Sequence, residues 1–353
     1  MPGLFDPITL GDIECANRIF MAPMTRSRAN ENDAPTEMNA LYYAQRASSG
    51  LIITEGVYPN IDGKGYVRTP GIVTDEQIAG WKLVTDAVHA KGGKIVMQIM
   101  HCGRVASAHN KPAEARTLGP SAIQAKGEMY TDAAGMQPLE MPEAMTIDEI
   151  KQTIADYAQA SRNAIEAGCD GVELHCTSGY LPAQFLSTGT NHRTDEYGGT
   201  LENRLRFVEQ ILEAMCGAIG AGRVGMRICP GNPFNDLSDD NPEETFSALL
   251  IAIKPMKLAY LHVIRMKAGG DNIALANAHF EGAIILNDSY DLERGNRALA
   301  KGQGDAIAFG RSYVANPDLV DRFKSGAELT PPNYKTLYLA GAEGYVDYEP
   351  LAK

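Results

Sequence analysis

Short apolar runs alternate along this chain with longer stretches in which apolar residues recur every three or four positions. Eight runs read as strands: Arg18–Ala22, Leu51–Thr54, Lys94–Gln98, Gly171–Leu174, Val224–Ile228, Ala259–Ile264, Ala283–Leu286 and Ala306–Phe309. Short, almost wholly apolar runs are the pattern of strands buried on both faces. The stretches between them carry helix signals. Thr74-Asp75-Glu76-Gln77 and Thr146-Ile147-Asp148-Glu149 have capping-box spacing, in which the threonine side chain takes the N–H three residues on. Lys91-Gly92 and Gly168 read as stops. Ile147, Ile150, Ile154, Tyr157 and Ile165 keep helical spacing, and so do Leu201, Leu205, Val208, Leu212 and Met215.

Repeated strand–helix order predicts an α/β fold with a parallel sheet, and eight units predict a closed (β/α)8 TIM barrel. An open doubly wound sheet is the alternative, but the Gly-x-Gly-x-x-Gly fingerprint it favours after the first strand is absent. Leu4–Glu14 predicts an N-terminal hairpin capping the bottom of the barrel. The segment His101–Met145 follows the third strand and is too long for an ordinary connection. It predicts a long functional loop with little regular structure, such as a lid. No Pro/Gly/Ser-rich linker or charge block divides the 353 residues, so the reading is one domain over 1–353.

Composition removes several classes. A net charge of −12 argues against a nucleic-acid surface, which needs an excess of Lys and Arg. No apolar run reaches the roughly 18 residues of a membrane span. The start, Met1-Pro2-Gly3-Leu4-Phe5-Asp6-Pro7, lacks the basic-then-apolar layout of a signal peptide. The expected location is the cytoplasm. Cys15, Cys102, Cys169, Cys176, Cys216 and Cys229 form no C-x-x-C pair, so no metal site is expected.

In such a barrel the chemistry gathers at the carboxyl ends of the strands. That rim here carries Pro23-Met24-Thr25-Arg26, Gly56, Gln98, His175, Arg227, Asn287 and Gly310-Arg311. His175 ends the fourth strand, and Tyr180 follows five residues on. Barrels often hold a phosphate with the loops after strands seven and eight. Asn287-Asp288-Ser289 and Gly310-Arg311-Ser312 suit that task, with Arg311 as a forked cationic donor. A phosphate site alone does not separate a phosphorylated substrate from a cofactor such as FMN.

Longer blocks carry a resemblance. They are Asn17-Arg18 with Met21 to Arg26, Tyr43 to Ala47 with Gly50 to Glu55, and Gln98 with His101 and Gly103-Arg104. The run from Gly179-Tyr180-Leu181 through Gln184-Phe185-Leu186 to Arg193–Gly199 and Glu202-Asn203-Arg204 is the most specific. Phe309-Gly310-Arg311 with Ala315–Leu319, and Gly344-Tyr345 with Asp347-Tyr348, complete it. In order, and over nearly the whole chain, these resemble the Old Yellow Enzyme family of FMN-dependent ene-reductases.

The resemblance implies FMN across the barrel mouth, reduced by NADPH or NADH, and an enone-type small molecule as substrate. Pro23, Met24 and Thr25 would lie against the flavin ring. Gly56, Gln98 and Arg227 would meet its pyrimidine side, and Asn287, Gly310 and Arg311 its phosphate. His175 would bond the substrate carbonyl and Tyr180 would give a proton to Cα. Tyr66, Met100 and Tyr345 would line the substrate pocket. Three positions depart from the family. Ser178 stands where relatives place Asn or His as a second carbonyl donor. Met100 stands where many carry Trp. Asp288-Ser289 replaces a glycine pair. Two alternatives remain at this point: a flavin reductase of nitrate esters or quinones, and a flavin-binding protein with little turnover. Either a monomer or a homodimer is expected.

Overall fold

The computed structural model describes residues 2–266 and 270–351. Eight parallel strands close into a barrel. They are β1 (Ile19–Met21), β2 (Ile52–Val57), β3 (Ile95–Ile99), β4 (Gly171–Cys176), β5 (Val224–Ile228), β6 (Tyr260–Ile264), β7 (Ala283–Asn287) and β8 (Ala306–Phe309). All eight expected strands are present, within one to three residues at either end. Helices follow the strands, and the capping signals operate as read. Thr74 and Thr146 side chains accept the N–H of Gln77 and Glu149, each in a full capping box. Gly168 takes a φ of 92°, which glycine adopts without a Cβ clash, and turns the chain into β4.

Alternation along the strands divides the barrel into an outer shell and a filled interior. Met97, Leu174, Met226, Leu261, Val263, Leu286 and Ile307 face the helices. Phe20, Ile53, Val96, Tyr260, Ile285 and Ala308 fill the inside. Gly225 leaves room for the Tyr260 ring, which a Cβ there would meet at 2.2 Å. The expected hairpin is Ile8–Leu10 paired with Ile13–Cys15. Its Asp12 N–H bonds the Gly222 carbonyl just before β5 (2.8 Å), and Leu10, Ile13 and Cys15 pack into the interior cluster. The hairpin therefore plugs the end of the barrel where the strands begin, leaving the other end open for a site.

One expectation needs correction. The segment His101–Met145 is not poor in structure. Leu118–Gly119 pairs with Glu143–Ala144, and Glu128–Thr131 pairs antiparallel with Gly135–Pro138. Its turn carries the left-handed Gly135, and the strand pairs satisfy backbone groups that a bare loop would leave to water. Among the described residues no helix is long and apolar enough to cross a membrane.

The plug makes a measurable claim. Ile13→Ala should cost about 2–5 kcal/mol in urea unfolding, the usual range for a large core side chain truncated to alanine. Glu14→Ala, on the exposed face of the same strand, should stay within about 0.5 kcal/mol. Equal effects would mean that the hairpin does not plug the barrel.

Candidate active site

Above the apolar interior the inward positions turn polar. Gln98 of β3, Glu173 and His175 of β4, Arg227 of β5, His262 of β6 and Asn287 of β7 are all buried. Strand register aligns them: Glu173 lies opposite Gln98, and His175 and His262 both lie opposite Arg227. Their side chains join into one chain of hydrogen bonds. Gln98 Nε2 donates to Glu173 Oε1 at 2.7 Å, and His262 Nδ1 lies 2.9 Å from Glu173 Oε2. Arg227 reaches the His262 Nε2 at 2.6 Å and donates to Asn287 Oδ1 at 2.8 Å. Asn287 Nδ2 donates to the Ala308 carbonyl of β8 at 2.7 Å.

Arg227 Nη1 also lies 3.1 Å from the His262 Nδ1, over the ring, so the tautomer is set by Glu173: a carboxylate only accepts, so Nδ1 carries the proton and Nε2 the lone pair. Burial, with Arg227 next to it, pulls the His262 pKa down to about 4. Burial pushes the Glu173 carboxyl up, but His262, Arg227 and Gln98 outweigh it and hold the group below its ordinary value. A neutral histidine thus bridges a buried cation and a buried anion.

Two cavities open over this layer. The larger, about 820 Å³, is lined by Pro23, Met24, Thr25, Tyr66, Tyr180 and Arg311. The Glu128–Pro138 hairpin supplies Met129, Tyr130 and Met136, and the C-terminal tail supplies Leu337 to Ala340. The smaller, about 420 Å³, is lined by Pro23, Met24, Arg227, Asn287, Gly310 and Arg311. The two share Pro23, Met24 and Arg311 and so meet at the end of β1.

His175 and Tyr180 stand together at the end of β4. Their rings lie 5.0 Å apart, and the Tyr180 hydroxyl is 3.0 Å from the Tyr66 hydroxyl. The His175 Nδ1 is buried with no partner among the described residues. Burial, then Arg227, draws the His175 pKa down to about 3, and burial drives the Tyr180 phenol well above 10. Ser178, at φ 59°, sits on the turn between them. Asn232 Nδ2 approaches the Ser178 hydroxyl at 3.5 Å, and Asn235 Nδ2 donates to the Ser178 carbonyl at 2.8 Å.

Two pocket assignments are corrected. Tyr345 is fully buried away from both cavities: it stacks on Tyr42 at 4.0 Å and takes a hydrogen bond from Asn39 at 3.1 Å. Arg28 lies over the same ring at 4.6 Å. Met100 lies one layer behind the wall, in a cluster with the lining residues Tyr66, Met129 and Tyr180. It folds against Gly56, where a Cβ would meet the Met100 Cε at 2.5 Å, and packs among Cys102, Val105 and Tyr180. Gly56 thus makes room for a side chain of the protein itself. Arg311 reaches both cavities but is paired with Asp288 at 3.3 Å.

The strand-end reading passed over Glu173 and His262. The signal was present: each interrupts an apolar strand at the same parity as a rim residue, Glu173 two before His175 and His262 opposite Arg227. It placed Arg26 on the rim without a role and passed over Arg28. Arg26 donates to the Gly344 carbonyl at 2.7 Å, and Arg28 to the carbonyls of Thr336 and Glu343 at 2.8 Å. They clamp the tail that forms one cavity wall.

A closed eight-strand barrel with a polar upper layer, a catalytic-type His–Tyr pair and a second cavity at the β7 and β8 ends defines a barrel enzyme of the cofactor-binding kind. A sequence profile of the NADH:flavin oxidoreductase / NADH oxidase family matches residues 3–330. A probable flavin mononucleotide-dependent alkene reductase of Leishmania infantum is 40% identical over 354 residues, 98% of this chain and 96% of that protein. The 12-oxophytodienoate reductase 1 of Oryza sativa subsp. japonica is 39% identical over 357 residues, 98% and 92% of the two chains. The structure of morphinone reductase superposes with a TM-score of 0.94 at 42% identity, covering 99% of this chain and 96% of that one. The chain belongs to this family, the Old Yellow Enzyme flavin oxidoreductases.

The buried imidazole gives a direct test. A free histidine takes up a proton near pH 6.5. Burial lowers that value here, so His175 should stay neutral down to about pH 3. Its ring signals in NMR should not titrate between pH 5 and 8. A titration near pH 6.5 that vanishes in His175→Gln would overturn this placement.

Proposed function

We propose that this enzyme reduces activated C=C bonds, those conjugated to a carbonyl, with NAD(P)H and FMN. The observation that carries the reading is Tyr180 on the same cavity as Pro23, Met24 and Thr25, with the His175 ring 5.0 Å from it. The donor set fits a flavin. A guanidinium has five N–H donors, and Arg227 spends only two on His262 and Asn287. The Gln98 carbonyl takes no hydrogen bond among the described residues. At Gly310 no protein atom comes within 3.6 Å of a built Cβ, so packing does not demand glycine there. The space it leaves belongs to the smaller cavity.

In this reading Pro23, Met24 and Thr25 support the ring, Gln98 and Arg227 with the Gly56 backbone hold its pyrimidine edge, and Asn287, Gly310 and Arg311 hold the phosphate. FMN held there would supply the hydride transfer from NAD(P)H to the β-carbon of the alkene. His175 donates a ring N–H to the substrate carbonyl oxygen and stabilises the negative charge that develops there. A neutral imidazole can do this across the working pH range. The Ser178 hydroxyl, approached by Asn232, supplies a second donor, shorter than the Asn or His of relatives. Tyr180 gives its phenolic proton to Cα, so one hydride and one proton saturate the bond. Its raised pKa keeps the proton in place until then. Tyr66, at 3.0 Å, holds the Tyr180 hydroxyl in position.

Tyr180→Phe separates the two halves of this cycle. NAD(P)H delivers only a hydride, so stopped-flow reduction by NADPH should remain within a few-fold of wild type, as a rough expectation. Oxidation of the reduced enzyme by cyclohexenone should slow about 10²–10⁴-fold, the usual worth of a general acid. Near-wild-type oxidation by the enone would remove Tyr180 as the donor and leave solvent.

The phosphate end gives an independent test. Asp288 occupies part of the Arg311 guanidinium. Exposed pairs are worth about 0–1 kcal/mol, so Asp288→Asn should tighten FMN by at most about fivefold. Arg311→Ala should loosen it by about 1.5 kcal/mol, the low end for a charged hydrogen bond at an exposed side chain. Fluorescence titration of the apoprotein with FMN reads both, and an unmoved affinity in Arg311→Ala would place the phosphate elsewhere.

A further inference from the structure

In the buried chain Gln98–Glu173–His262–Arg227 the two inner members, Glu173 and His262, have no place in the steps above, yet the chain ends on the two side chains that face the flavin edge. Glu173 is its only anion. As a carboxylate it accepts and never donates, which sets the orientation of both neighbours. It takes the Gln98 amide N–H at 2.7 Å and so leaves the Gln98 carbonyl for an outside donor. It takes the His262 Nδ1–H at 2.9 Å and so leaves the His262 Nε2 as the acceptor for Arg227 at 2.6 Å. One buried carboxylate thereby presents an acceptor at Gln98 and the unspent donors at Arg227 toward the same edge. That alternation matches a flavin pyrimidine ring, with its N3–H donor beside its C2 carbonyl and N1 acceptors.

We propose that Glu173 is a positioning residue that, through Gln98 and the His262–Arg227 pair, orders the flavin edge and lowers the reduction potential of the bound flavin. This rests on the FMN reading above. Reduction places negative charge near flavin N1, which the Arg227 cation stabilises. Glu173 sits behind that cation and offsets part of its field in a buried site, where charges are weakly screened. Replacing Glu173 with a neutral amide removes that offset. It also leaves one acceptor for two donors, so an N–H of the new amide must face either the Gln98 amide N–H or the His262 Nδ1–H, and the ordered chain is broken at one of them.

The experiment is the midpoint potential of FMN-loaded Glu173→Gln, measured against a reference dye. The expected result is a shift of at least tenfold in the oxidised-to-reduced ratio toward the reduced form, about 30 mV upward for a two-electron couple. Glu173→Asp keeps the charge but shortens the bridge. It should hold the wild-type potential while FMN affinity falls about tenfold. An unchanged or lower potential in Glu173→Gln, or the same rise in Glu173→Asp, overturns the proposal. Should Glu173→Gln not fold, His262 supplies the second test. His262→Leu cuts the bridge and should weaken FMN about tenfold. His262→Gln can donate to Glu173 and accept from Arg227, and should restore it. Equal affinities in those two variants overturn the proposal. A wild-type chain that takes up no FMN is a failure of the flavin reading itself, and is seen before any variant is compared.

Discussion

A guanidinium buried near the mouth of the barrel is the constraint on which the upper half of the molecule depends. Arg227 is almost wholly shielded from water. Removing the partner of a buried charge typically costs about 3–5 kcal/mol, so the neighbours of Arg227 are not interchangeable. Its β6 neighbour must accept a hydrogen bond, its β7 neighbour must do likewise, and an anion must lie close by. His262, Asn287 and Glu173 meet those demands from three different strands. Each meets them only if its strand is in register to within one residue, because a slip of one turns the side chain to the helix face.

This places two kinds of layer in one barrel. Below, Phe20, Ile53, Val96, Tyr260 and Ile285 exclude water and accept the plug of Leu10, Ile13 and Cys15. Above, the polar chain can remain dry because its members satisfy one another. The apolar floor makes the hydrogen bonds of the layer above stronger, since the local dielectric is low. The same low dielectric holds His175 neutral and Tyr180 protonated, the states in which one can donate a hydrogen bond and the other a proton. The protonation states at the site therefore follow from how deeply the barrel is filled.

Much of this was legible along the chain, for physical reasons. Strand and helix periods differ, so eight apolar runs, two capped helices and a third apolar helix face were readable without knowing their partners. The rim residues were readable because carboxyl ends follow from strand ends. What escaped depended on partners far apart in sequence. Glu173 and His262 are separated by 89 positions and meet only through barrel closure. Tyr345 looks like a pocket aromatic from its place in the tail, yet the tail is drawn in by Arg26 and Arg28, and the ring ends against Tyr42. Met100 reads as a wall from the resemblance, but the missing side chain of Gly56 lets it pack against that glycine.

The β7 loop shows how left-handed backbone can be held without glycine. The backbone is left-handed at Asp288, with φ 79°, and at Ser289, with φ 60°. Residues with a Cβ pay roughly 1–2 kcal/mol each in that region, aspartate less than most because its side chain bonds locally. Side chains supply the compensation. Arg311 pairs with Asp288, Arg265 donates to the Ser289 carbonyl at 3.1 Å, and the same Arg265 stacks over Tyr290 at 4.6 Å. The loop shape is thus held by cations rather than by glycine freedom. Those cations lie beside the residues that line the smaller cavity, so the carboxylate of Asp288 is answered by arginine there.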